Sequence, residues 1–263
     1  MVKNLSVGRY IETNSIIHQL DPRTKLLGAI VFVALLMMAS IWQQYVALTL
    51  YTFLMSFLTR IPVLIFLKGI RPLLRIIIFT ALLQALFSGS GTIYWRWGPF
   101  TISEFGLRGA GIVFIRFALV IIMTSVIGLS TKPLDLSAGV EQLLTPFKVI
   151  GFAVQDLALM MSIALRFLPA LFDEGERLKK AQESRGMLFC EGHFFQRMRK
   201  LLAMFIPIFV GSFYRAQELA NALDARGYVG SAGRTKFKMM KLSSKDFIFA
   251  SSLGILFIVC FIV

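Results

Sequence analysis

The sequence predicts an all-α membrane protein with about five membrane-spanning helices and a cytoplasmic part built on two long helical arms. Three observations predict it. Of the 263 residues, 57% are hydrophobic and only 16% charged, with a mean hydropathy of +0.74, a composition suited to a bilayer. Residues 26–59, 76–95, 117–131 and 247–263 carry no charge at all, and a spanning helix needs about 20 apolar residues, fewer where the bilayer thins. The basic residues are also unevenly placed. Of 28 Lys and Arg, four lie in residues 1–25, four in 59–75 and 17 in 132–246, whereas the segments expected outside, 42–44 and 88–107, hold only Arg96. That is the positive-inside pattern, with a cytoplasmic N-terminus. The net charge of +14 therefore reads as topology beside anionic headgroups and not as a nucleic-acid surface.

The first 25 residues are polar and include Lys3, Arg9, Arg23 and Lys25, without the apolar core of a cleavable signal. Asp21 is placed to cap the first span and Pro22 to occupy its first helical position. The 34 uncharged residues 26–59 are too many for one span and few for two. Trp42-Gln43-Gln44 then reads as a tight hairpin between two short spans centred near residues 34 and 52. Arg60, Lys68, Arg71 and Arg75 punctuate apolar residues at a helical period, which predicts an amphipathic helix on the inner leaflet over 60–75.

A third span centres near residue 83. The loop that follows is rich in glycine and aromatics, and Tyr94, Trp95 and Trp97 suit the interfacial belt. Gly89-Ser90-Gly91 within it is a turn without the rest of a phosphate fingerprint. The fourth span, near residue 119, opens with Gly106-Leu107-Arg108-Gly109-Ala110-Gly111, small residues that permit close packing. Arg116 lies isolated inside it. An intramembrane arginine faces a partner or a wet cavity, or it snorkels or pairs internally; both readings stay open.

From residue 132 the character changes, and residues 132–246 hold 11 of the 14 acids. Two apolar stretches, 147–172 and 201–213, each run into a charged one. Each predicts a helical arm with a greasy root and a polar tip, kinked at Pro169 or Pro207; the first, over 152–185, would reach ~50 Å. A fifth span near residue 255 returns the chain to the bilayer. The expected division is 1–131 (four spans and the amphipathic segment), 132–245 (the coupling domain) and 246–263 (the last span).

Each arm ends in the same short box, Ser184-Arg185-Gly186 and Ala225-Arg226-Gly227, 41 positions apart. At that offset Phe172 matches Phe213, Leu178 matches Leu219 and Ala181 matches Ala222. Glycine can take the left-handed conformation that ends a helix, and a cation there suits the negative end of the macrodipole. One such box is an ordinary helix cap. Two, with matched upstream residues and the same greasy-to-polar gradient, suggest arginines presented to a partner with two similar sockets. Catalytic chemistry has no candidate. Cys190 and Cys260 are far apart, His18 and His193 lack metal-ligand spacing, and there is no phosphate-binding loop of the Lys-Ser/Thr kind. No cofactor, metal or small-molecule substrate is expected on this chain.

The stretch Ala164-Leu165-Arg166-Phe167-Leu168-Pro169 followed by Ala181-Gln182-Glu183-Ser184-Arg185-Gly186 resembles the first signature of the transmembrane T component of energy-coupling factor transporters. Arg215-Ala216-Gln217-Glu218-Leu219-Ala220, continuing to Ala225-Arg226-Gly227-Tyr228, resembles the second, and the opening at Asp21-Pro22-Arg23-Thr24-Lys25-Leu26 is also similar. Ser184 stands where that family has alanine; both are small. The resemblance implies the non-catalytic subunit of a prokaryotic ABC-type importer of vitamins or metal ions, resident in the plasma membrane. Its implied partners are two ATP-binding cassette ATPases and one membrane S component that captures the substrate. Arg185 and Arg226 would each enter a groove on one ATPase, the arms would cross, and their apolar roots would hold the S component. Two alternatives from other classes are the permease of an ordinary ABC importer, with one coupling helix per copy, and a membrane insertase, motivated by Arg116.

Overall fold

The computed structural model describes residues 10–11, 13, 15–88, 92–97, 100–151, 153–187, 189, 193–230 and 243–262. Cys190, the Gly89-Ser90-Gly91 turn, Lys3 and Arg9 lie outside them. The described residues form nine α-helices and one two-stranded hairpin: α1 (Pro22–Met38), α2 (Trp42–Leu58), α3 (Val63–Ile70), α4 (Leu74–Phe87), β1 (Ile93–Trp97), β2 (Phe100–Ser103), α5 (Glu104–Ser130), α6 (Pro133–Leu144), α7 (Val154–Ser184), α8 (Phe194–Ala225) and α9 (Ser244–Ile262). They divide into two compact units, residues 1–143 with 240–263, and residues 144–239.

In the first unit α5 packs against α4, α2, α3 and α1, and α9 packs against α1 and α2. Phe32, Leu36, Leu48, Tyr51, Met123, Val126, Phe249 and Leu253 share its buried core. Many outward residues are apolar and exposed, such as Leu50, Phe53, Phe57 and Ile258, as a lipid-facing surface requires. Small residues set the closest approaches. A Cβ on Gly28 would lie 2.6 Å from the Phe249 ring, and one on Gly106 would lie 2.9 Å from the Ala85 carbonyl oxygen. Among the described residues, three helices are long and apolar enough to cross a membrane: α5, α7 and α9; α4 is apolar but shorter.

Asp21 caps α1 as its residue type suggests, its carboxylate accepting from the Arg23 amide at 2.9 Å, with Pro22 in the first turn. The α1–α2 turn falls a few residues earlier than expected, at residues 39–41, and Trp42-Gln43-Gln44 begins α2 instead. The reason is Gln44, whose side-chain oxygen accepts from the Ser40 and Ile41 amides and so closes the helix start. The amphipathic segment 60–75 is divided as well: α3 is bracketed by Pro62 and by a turn over residues 71–73, and Arg75 already belongs to α4. Pro62 and Pro72 cannot sit inside a continuous helix without losing a backbone bond. The aromatic loop contains secondary structure of its own. β1 and β2 pair antiparallel, Trp97 opposite Phe100 and Ile93 opposite Ser103.

Polar groups tie the helix ends of this unit together. The Lys25 ammonium, 1% exposed, donates to the Ser130 carbonyl at 2.9 Å and the Thr131 hydroxyl at 3.1 Å, at the C-terminus of α5. A cation there meets the negative end of that helix. Asp246 accepts from the Asp21 and Ser243 amides, both at 2.7 Å, and so joins the starts of α9 and α1.

In the second unit α7 and α8 are 31 and 32 residues long, about 46–48 Å each at 1.5 Å per residue. Pro169 and Pro207 lie inside these unbroken helices. The two pack together near Gly175 and Gly211, where a Cβ would stand 3.8 Å from Ile208 and 3.6 Å from the Glu174 carboxylate. An ion pair between Glu174 and Arg215 fastens the same contact.

Candidate functional site

The two boxes terminate α7 and α8 in the same way. In the first, Arg185 is the last residue with near-helical torsions and Gly186 follows at φ +82°. The Gly186 amide donates to the Glu183 carbonyl at 3.0 Å, and the Met187 amide reaches back to the Gln182 carbonyl at 3.0 Å. In the second, Arg226 is followed by Gly227 at φ +71°. Its amide donates to Asp224 at 2.9 Å, and the Tyr228 amide to Leu223 at 3.0 Å. These are paired 5→2 and 6→1 bonds, the Schellman arrangement, and they need a residue that tolerates positive φ. Glycine does so without a Cβ clash.

The consequence is positional. Closing the helix with backbone bonds leaves the arginine side chain free of any capping duty. Arg185, Arg226 and both glycines are exposed, as are Ser184 and Ala225. Among the described residues neither arginine makes an ion pair. A Cβ on either glycine would meet nothing within 4 Å, so the glycines are there for torsion and not for packing. The Ser184 hydroxyl donates to the Lys180 carbonyl at 3.0 Å, turning it inward along its own helix, so at this site it offers little more polarity than alanine. Each tip therefore presents an exposed guanidinium on a locked helix end, unpaired among the described residues, a fork able to meet a carboxylate or a row of carbonyls.

Above the tips, the arms are apolar and uncovered. Met160, Leu168 and Phe172 on α7 are exposed, as are Phe205, Ile206, Phe209 and Phe213 on α8. Among its described residues α8 buries none. Exposed apolar surface on this scale marks contact with a partner or with lipid.

Arg116 is not part of this site. One of its terminal amino groups donates to the Ala39 carbonyl at 3.2 Å and to the Tyr45 hydroxyl, and the guanidinium lies 5.8 Å from the Tyr45 ring centroid. The Tyr45 hydroxyl donates to the same Ala39 carbonyl at 2.9 Å. Of the two readings open for this arginine, the geometry is that of internal pairing, a bracket across the α1–α2 turn. The Glu174–Arg215 pair is the feature that inspection of single segments misses, since its members lie in different arms. The signal was present in the 41-residue repeat, which aligns Glu174 with Arg215 itself.

Over residues 13–238 the chain matches the CbiQ family, described as cobalt transport protein. It is 45% identical over 250 residues to energy-coupling factor transporter transmembrane protein EcfT 1 of Listeria monocytogenes, covering 95% of this chain and 94% of that one. It is 44% identical over 252 residues to the corresponding protein of Lacticaseibacillus paracasei, with 96% of each chain covered. With that of Bacillus subtilis the identity is 39% over 246 residues, covering 94% and 93%.

Proposed function

Because the chain belongs to the CbiQ family, as a transmembrane component of an energy-coupling factor transporter, we propose that it links two cytosolic ATP-binding cassette ATPases to a substrate-capturing membrane S component. The observation that carries this reading is the pair of identically locked helix ends, each presenting one exposed arginine without an ion pair among the described residues. One chain with two such tips serves two sockets. An ordinary permease with a single coupling helix per copy has no need of the second, and an insertase has no use for two matched boxes.

In this reading Arg185-Gly186 and Arg226-Gly227, with Ser184 and Ala225, dock on one ATPase each. ATP hydrolysis belongs to those partners, and this chain has no catalytic role. Closure of the ATPases displaces the tips relative to each other. The long helices carry that displacement to their apolar roots, and the repacked surface there lets the S component release its cargo, a vitamin or similar micronutrient, inside the cell. This is rigid-element coupling through a hinge or shear. Residues 132–245 serve as the coupling domain, while 1–131 and 246–263 hold it in a prokaryotic plasma membrane as a multi-pass scaffold with a cytoplasmic N-terminus.

Reversing both charges, Arg185→Glu with Arg226→Glu, tests it. A buried charge-assisted contact at an interface is worth ~2–5 kcal/mol, so the double variant inserts normally but no longer co-purifies with ATPase subunits. Recovery of the intact complex with both reversals present refutes the proposal.

A further inference from the structure

A cavity of about 880 Å³ opens in the first unit where α2 turns into α3, beside the Ile17–Gln19 turn and the first turn of α9. Phe57, Leu58, Ile61 and Pro62 give it apolar walls, while Arg60 and Lys245 bring two cations to the same space. No Asp or Glu among the described residues lines it. The neighbouring Asp246 is buried and occupied by the Asp21 and Ser243 amides. The Lys245 ammonium is steadied by the Gln19 side-chain oxygen, another lining residue.

Arg60 is the more telling of the two. It is the one non-glycine residue with positive φ, +56°, among the described residues. It follows the α2 cap at Thr59, and its amide donates to the Phe57 carbonyl at 3.1 Å. Glycine occupies such a position without strain, as it does at the ends of α7 and α8. An arginine held there keeps a charged side chain at a backbone site that disfavours it, a pattern associated with function. Its side chain is exposed and makes no ion pair among the described residues.

The apolar wall continues out of the cavity. Leu50, Phe53, Leu54 and Phe57, all exposed, form a stripe at helical spacing along α2 that ends at the mouth. We infer that this cavity holds one anionic phospholipid, its phosphate between Arg60 and Lys245 and its acyl chains along the α2 stripe. Two cations, with no carboxylate among the described lining residues, suit an anionic headgroup, and basic pockets beside spanning helices select such lipids. A free phosphate would leave the stripe unused.

The test uses the full chain, delipidated in detergent and observed by native mass spectrometry. It is titrated with dioctanoyl phosphatidylglycerol, dioctanoyl phosphatidylcholine or inorganic phosphate. One phosphatidylglycerol is retained and phosphatidylcholine is not. Arg60→Gly and Lys245→Gln each weaken retention about fivefold. Arg60→Gly melts no lower than the parent without lipid, because glycine suits that torsion, so its lost lipid is not lost fold. Equal retention of the two lipids, retention unchanged in both variants, or equal protection by inorganic phosphate alone each overturns the assignment.

Discussion

Lys25 illustrates how single residues fix this structure. Its ammonium, in the first turn of α1, is almost fully buried and serves the Ser130 carbonyl and the Thr131 hydroxyl at the end of α5. Leaving a buried acceptor without its donor costs about 1–3 kcal/mol. Lys25→Met should therefore lower the stability of the detergent-solubilised protein by that amount, read from its melting; a variant that melts with the parent would show that the contact contributes nothing. Residue types near Asp21 made the helix cap legible in sequence. The acceptors of Lys25, 105 and 106 positions away, were not, and neither was the use of Arg116 to bracket a turn 71 to 77 positions earlier.

Among the elements, the arms were legible because their information is local. A small residue, an arginine and a glycine at a helix end specify a Schellman turn with few tertiary demands. What the local pattern left out is the fastening between the arms. Glu174 and Arg215 pair where Gly175 and Gly211 let α7 and α8 approach. Glu174→Arg opposes two cations at that point and should cost about 1 kcal/mol in melting of the second unit. Adding Arg215→Glu should return stability to within about 0.5 kcal/mol of the parent. If the double swap melts no higher than the single variant, the pair does not fasten the arms. The region 60–75 shows a complementary lesson. Its period of basic and apolar residues was real, but Pro62 and Pro72 outrank periodicity, so one amphipathic helix became a corner, a short helix and a turn.

For the whole molecule, the proposed topology puts the tips and the β1–β2 hairpin on opposite sides of the membrane. In a background with Cys190 and Cys260 replaced, Tyr94→Cys should react with an impermeant maleimide on intact cells. Arg185→Cys should react only after permeabilisation; labelling of both from outside would reverse or break the topology. Composition and charge placement were sufficient to assign this chain to a bilayer with two polar-tipped arms, because hydrophobic burial and the asymmetry of basic residues are sums over residues and need no coordinates. The same holds for the helix-ending boxes, whose chemistry is complete within a few positions. Only the folded chain brought Lys25 to the end of α5, Arg116 to Tyr45, and Arg60 and Lys245 to one cavity. Those pairings join positions tens to hundreds of residues apart, and their energies exist only once helix packing has removed the groups from water.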